Sequence, residues 1–172
     1  GDHKYVVIID YKSGRKQLDI SQIFTGLELQ LLTYMFVALL NIGGDAIPAA
    51  VLYCYVRNDR VSLEYRVSDE DKKKLYESKG KLTGFYLDDG QVMQQLDTSM
   101  QGFSDFLNLR LKKDGTLSDA SHTLYNEAGW SHLLDWAARQ IEDIAGHIGD
   151  GDISIHPVLL GQKAPCSYCP YR

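Results

Sequence analysis

A carboxylate and an ammonium stand two residues apart at the end of an apolar run, Val6-Val7-Ile8-Ile9-Asp10-Tyr11-Lys12-Ser13-Gly14. Strand side chains alternate between faces, so Asp10 and Lys12 share a face with Val6 and Ile8, and Tyr11 takes the other. Such a pair suits metal-assisted attack on a phosphodiester. The carboxylate holds a divalent cation, and the lysine steadies the nucleophile or the developing negative charge. The plainer reading of the same two residues is a surface ion pair at a strand end. Gln30 and Tyr34 add to the chemical reading, because they lie four apart on one face of the helix that follows the Asp10 strand. A glutamine in so apolar a segment needs hydrogen-bond partners. Either both side chains project toward the site and help place the lysine, a metal-bound water or a phosphate, or Gln30 satisfies loop backbone and Tyr34 packs.

The tail, Cys166-Ser-Tyr-Cys169-Pro-Tyr-Arg172, brings two thiolates onto one turn, half of a zinc or iron–sulfur site. Redox chemistry competes as a reading, without the βαβ setting that it expects. Cys54, between Tyr53 and Tyr55, reads as an inert core residue. Arg15 and Lys16 follow the Asp-x-Lys loop and can reach a phosphate backbone. Lys72 to Lys74 read as a solvated helix face, and five histidines fall in five segments without metal-ligand spacing. The sequence holds no G-x-x-x-x-G-K-[ST], no G-x-G-x-x-G and no nucleophile elbow.

These residues need a scaffold. Tyr5 to Tyr11 reads as a buried strand from its β-branched and aromatic content. Asp19 or Ser21 caps a helix over about 23–40 that is apolar almost all round, the mark of a buried central helix, and Gly43-Gly44 ends it. Ala49 to Val56 reads as a second strand. Residues 57–68 suggest an edge strand, Ser68-Asp69-Glu70-Asp71 a helix start stopped by Gly80, and Asp114-Gly115 a hairpin turn. Helical spacing runs from Asn126 to Ile148 and stops at Gly149 and Gly151; Ile153 and Ile155 suggest a short strand. The 172 residues suit a single domain, 1–172, with a cysteine-bearing tail over 161–172. A net charge of -5 gives no global basic field, which leaves room for a local basic groove. The apolar run near Leu29–Leu40 is too short to span a bilayer. Three cysteines argue against a secreted disulfide framework and for a reducing, cytoplasmic compartment.

Ile9-Asp10-Tyr11-Lys12-Ser13-Gly14, followed by Gly26-Leu27-Glu28-Leu29-Gln30-Leu31-Leu32-Thr33-Tyr34, resembles the RecB-like branch of the PD-(D/E)xK nucleases. With Pro48-Ala-Ala-Val-Leu-Tyr53 and the Cys166–Tyr171 segment, the resemblance extends over nearly the whole chain, toward the AddB/RexB family of helicase–nuclease proteins. It implies an α/β fold, a partial restriction-endonuclease-like core with a central mixed sheet flanked by helices, and the D-x-K strand in the middle of that sheet. It also implies a magnesium-dependent DNA exonuclease region, acting in double-strand break repair and recombination with an AddA/RexA partner, and with ATP used elsewhere in the complex. Under it, Asp10 is a magnesium ligand, Lys12 the catalytic lysine, Gln30 and Tyr34 the helix motif, and Cys166 and Cys169 two of four ligands to a 4Fe–4S cluster. The family's upstream G-x-x-D-R-[IV]-D and two of its cluster cysteines are absent here. We therefore expect a fragment truncated at both ends, inactive by itself and without an intact cluster. The edge of its first strand should be covered by self-association or by the later strands. A Cas4-like free-standing nuclease and a non-catalytic DNA-holding or subunit-contact module are the alternatives.

Overall fold

The structure is a computed structural model and describes residues 3–14, 16–56, 68–71, 80–118, 123–160, 166 and 170. Its centre is a four-stranded mixed sheet in the order β1-β2-β3-β6, formed by β1 (Lys4–Lys12), β2 (Ala46–Tyr55), β3 (Thr83–Leu87) and β6 (Leu124–Tyr125). β1 and β2 run parallel, β2 and β3 antiparallel, and β3 and β6 parallel. A separate hairpin pairs β4 (Arg110–Leu111) with β5 (Leu117–Ser118), and its turn contains Gly115 at positive φ, as the Asp114-Gly115 signal predicts.

The β1–β2 register carries one irregularity. Val6 faces Pro48 but Val7 faces Ala50, so Ala49 is the extra residue of a bulge. Proline lacks a backbone donor, and a bulge is one of the few places where a sheet accepts it. Beyond the bulge the strands stay aligned, and Asp10 lies beside Tyr53 and Lys12 beside Tyr55. At the middle of the sheet β3 passes so close to β2 that a Cβ on Gly84 would overlap the Val51 carbonyl.

The predicted single helix over 23–40 is two helices. α1 (Ile20–Phe24) is capped by Asp19, whose carboxylate accepts the Ser21 N–H, and Gly26 at φ 75° turns the chain before α2 (Gln30–Ile42) begins. Nor is α2 buried all round. Leu31, Leu32 and Met35 face β1, β2 and the long helix α4 (Glu127–Gly149), whereas Leu40 is 67% exposed and Val37 and Ile42 are also open. Apolar content alone did not decide burial, since among the described residues only one side of α2 has elements to pack against. α4 begins within a residue of the expected start, where Asn126 is the cap and its side chain accepts the Gly129 N–H. Its Trp130, Leu133, Leu134 and Ala137 complete one cluster of buried residues with β2, β3 and α2. Trp130 is fully buried, and truncating such a side chain to alanine costs about 3–5 kcal/mol.

Other expectations change. The family's fold sets the D-x-K strand in mid-sheet; here β1 lies at the edge, as expected for this chain, and among the described residues no later strand covers that edge. Its outer face carries the exposed Tyr5, Ile9 and Tyr11, so the strand is half-covered rather than buried. Ile153 and Ile155 form no strand and stand 93% and 87% exposed, because two alternating residues offer no ladder to join. Cys54 sits half-buried beside Tyr11, near the end of β2 where the strand leaves the core. β3 and the helix α3 (Gly90–Leu96) had no counterpart in the sequence reading. Ser68 does start a helix, accepting the Asp71 N–H; the predicted edge strand over 57–67 lies outside the described residues.

Candidate active site

Four of the residues singled out by type and spacing form one continuous polar chain at the carboxyl end of β1. Lys12 Nζ pairs with Asp10 Oδ2 at 2.6 Å and donates to Gln30 Oε1 at 2.9 Å. Gln30 Nε2 donates in turn to the Tyr34 hydroxyl at 2.9 Å. Strand alternation puts Asp10 and Lys12 on one face, and the start of α2 sets Gln30 in its first turn with Tyr34 one turn later. Gln30 and Tyr34 are exposed rather than sunk in an apolar helix, because they stand on the open rim of the site.

The carboxylate of Asp10 is unusual. Oδ2 is buried and takes no aligned hydrogen bond; its one close contact is the ion pair to Lys12. A carboxylate oxygen with an open lone pair suits a hard divalent cation. Among the described residues no three His, Cys, Asp or Glu side chains come together, so no full cage of metal ligands surrounds Asp10. Cys166 is exposed with a free thiol, and Cys169 and Arg15 lie outside the described residues, so no iron–sulfur ligand set is assembled among those described.

Lys16 lies beside this chain but is turned onto a partner that sequence reading passed over. Its Nζ pairs with Glu28 Oε1 at 2.7 Å, and the Tyr53 hydroxyl donates to the same oxygen at 3.0 Å. Burial first, then the charge of Glu28 and the hydrogen bond to it, with Asp10 adding, hold the Tyr53 hydroxyl well above the usual phenol range. The one signal for Glu28 in the sequence is a lone acid inside the run Gly26-Leu27-Glu28-Leu29. Lys12, Lys16, Tyr53, Tyr55, Phe85 and Tyr125 line a cleft of about 890 Å³ at the carboxyl ends of the parallel strands β1 and β2. In open α/β sheets ligands bind in that position.

A mixed sheet with an Asp-x-Lys strand end and a glutamine–tyrosine helix defines a nuclease-like site, and similarity to known proteins agrees. The model of the PD-(D/E)XK nuclease superfamily matches residues 1–172, and the chain belongs to that superfamily. It is 33% identical, over 99% of its length, to the B subunit of the ATP-dependent helicase/deoxyribonuclease of Thermoanaerobacter sp. strain X514. It is 35% identical, over 98% of its length, to the proteins of that name in Bacillus mycoides strain KBAB4 and Bacillus anthracis. The chain spans 15% of the length of each of these relatives. Among the described residues no helix is long and apolar enough to cross a membrane.

Proposed function

We propose that this chain is the nuclease module of a larger ATP-dependent helicase/deoxyribonuclease, hydrolysing phosphodiester bonds of DNA as part of double-strand break repair and recombination. The observation that carries the reading is the Asp10–Lys12–Gln30–Tyr34 chain, within a superfamily match over the whole length. Asp10 holds a magnesium ion, which when bound supplies charge neutralisation at the phosphate and a more acidic water. Lys12 donates to the phosphate or the attacking oxygen, and its positive charge meets the negative charge that develops there. Gln30 accepts from Lys12 and so restricts the ammonium to one direction, and Tyr34 fixes which way the Gln30 amide points. The relatives' name motivates a helicase–nuclease partner and a DNA substrate for this module, and ATP belongs to other parts of such an assembly. Cys166 and Cys169 would contribute to a 4Fe–4S cluster in that larger assembly.

The test is to graft residues 1–172 in place of the matching region of the Thermoanaerobacter protein and to follow magnesium-dependent cleavage of labelled single-stranded DNA. The graft should cut, and Lys12→Ala should lower the rate by about 10²–10³-fold, the usual loss for one preorganised donor at developing charge. Unchanged cleavage by Lys12→Ala would sink the reading. With one carboxylate at the site, the 172-residue chain by itself should leave the same DNA intact. Magnesium-dependent cutting by the purified chain, abolished by Lys12→Ala, would refute that second expectation.

A further inference from the structure

The Lys16–Glu28 pair plays no part in the Asp10–Lys12–Gln30–Tyr34 chain, yet the fold commits a buried charge to it. Glu28 is 3% exposed, and a carboxylate so placed is costly unless its partners compensate. Lys16 and the Tyr53 hydroxyl supply Oε1, and the Asp19 N–H approaches Oε2 at 3.4 Å. The pair draws Lys16 Nζ to 5.5 Å from the centre of the Tyr53 ring, while Lys12 Nζ stands 5.4 Å from the same centre. Two ammonium groups are thus gathered around one aromatic ring, each with its own carboxylate. Each is a cation within reach of the same ring, so an anion that touches both gains from each. Lys16 keeps a side-chain exposure of 43%, so its remaining donors face the cleft and solvent. Tyr53 and Phe85 close the floor of the cleft as buried rings, and the half-buried Tyr55 and Tyr125 at its wall are the ring type on which bases stack.

Resting on the nuclease reading above, we infer that Lys16 is a second phosphate-binding cation. Glu28 and Tyr53 position it to take the phosphate next to the one at Lys12, and the nucleotide between them sits in the aromatic-lined cleft. Lys16 touches the substrate; Glu28 acts through Lys16 and is a positioning residue.

Binding of a short labelled oligothymidylate, measured by fluorescence anisotropy in chelator across a salt series, tests this without cleavage. Lys16→Ala should weaken binding about tenfold and flatten the salt dependence by about 0.7 in log–log slope, the share of one single-strand phosphate. Lys113→Ala, in the exposed hairpin turn, should change neither. Glu28→Gln separates positioning from simple repulsion. Removing a negative charge beside the cleft tightens binding if Glu28 merely repels DNA, whereas a positioning role weakens it several-fold and adds no loss to Lys16→Ala. Tyr53→Phe, which keeps the ring and removes only the hydroxyl bond to Glu28, should weaken binding in the same direction and serves if Glu28→Gln does not fold. Unchanged affinity in Lys16→Ala, or tighter binding in Glu28→Gln, overturns the inference. If Lys12→Ala weakens binding and Lys16→Ala does not, this inference alone falls. If the unaltered chain does not bind, or Lys12→Ala has no effect, the nuclease reading falls with it.

Discussion

Asp10 and Asp97 are both carboxylates set against the core, and they are treated in opposite ways. Asp97 is 3% exposed, and each of its oxygens is used. Oδ1 accepts from the Ser99 N–H at 3.1 Å and the Ser99 hydroxyl at 2.6 Å, and Oδ2 from the Ser104 hydroxyl at 2.6 Å. Ser104 Oγ accepts in turn from the Leu107 and Phe106 N–H groups, tying down the loop before β4. Asp10 has an ion pair on Oδ2 and no aligned hydrogen bond there. A carboxylate engaged like Asp97 holds structure together, and its network occupies most of the lone pairs that a ligand would need. An unsaturated one contributes less to the fold and keeps the capacity to bind.

The sharpest way to break this contrast is to remove both groups. Asp97→Ala leaves the buried Ser104 hydroxyl and two Ser99 donors without their partner and should cost about 2–4 kcal/mol in urea unfolding. Asp10→Ala should cost less than about 1 kcal/mol, because Lys12 stays partly exposed and bonded to Gln30. Equal losses would end the distinction. A smaller effect comes from acid. Burial alone would raise the Asp97 pKa, but hydrogen bonds from Ser104 and Ser99 outweigh it and hold the carboxyl below its ordinary value. With the folded pKa depressed, the stabilisation is present above about pH 4 and is lost as pH falls through the folded value. Asp97→Ala should therefore flatten the acid limb of a stability–pH curve. The smallest expected change is Tyr34→Phe. Its exposed hydroxyl serves only Gln30, so unfolding should shift by less than about 0.5 kcal/mol. Cleavage by the grafted protein should nonetheless fall several-fold, as Gln30 loses its fixed direction. A large stability loss with unchanged cleavage would place Tyr34 with Asp97, among the structural groups.

The parts legible in the sequence were those set by local rules. α4 was readable to within a residue at its start because a long apolar stripe at helical spacing marks it. The site quartet was readable because alternation on β1 and four-residue spacing on α2 fix which side chains face one another. What escaped depended on partners far along the chain. β3 is five residues, buried on both faces and interrupted by the glycine that its contact with β2 demands, so no period marks it. The α1–α2 break rests on the positive φ of Gly26, inside a run whose composition favours one helix. Glu28 drew no attention because its meaning comes from Lys16 and Tyr53, which lie 12 and 25 residues away.

The bulge at Ala49 has a consequence for how this strand can change length. Residues 46 and 48 of β2 share the inner face with β1 before the bulge, and 51, 53 and 55 do so after it. One residue of slack is therefore stored about 13 Å from Tyr53, at 3.3 Å per residue. A single-residue deletion between Pro48 and Tyr53 can be absorbed by straightening the strand, and Tyr53 and Tyr55 still meet Asp10 and Lys12. β1 has no such reserve: the same deletion between Val7 and Asp10 would turn the Asp-x-Lys pair to the opposite face. Of two neighbouring strands that build one site, only β2 can drift in length without disturbing it.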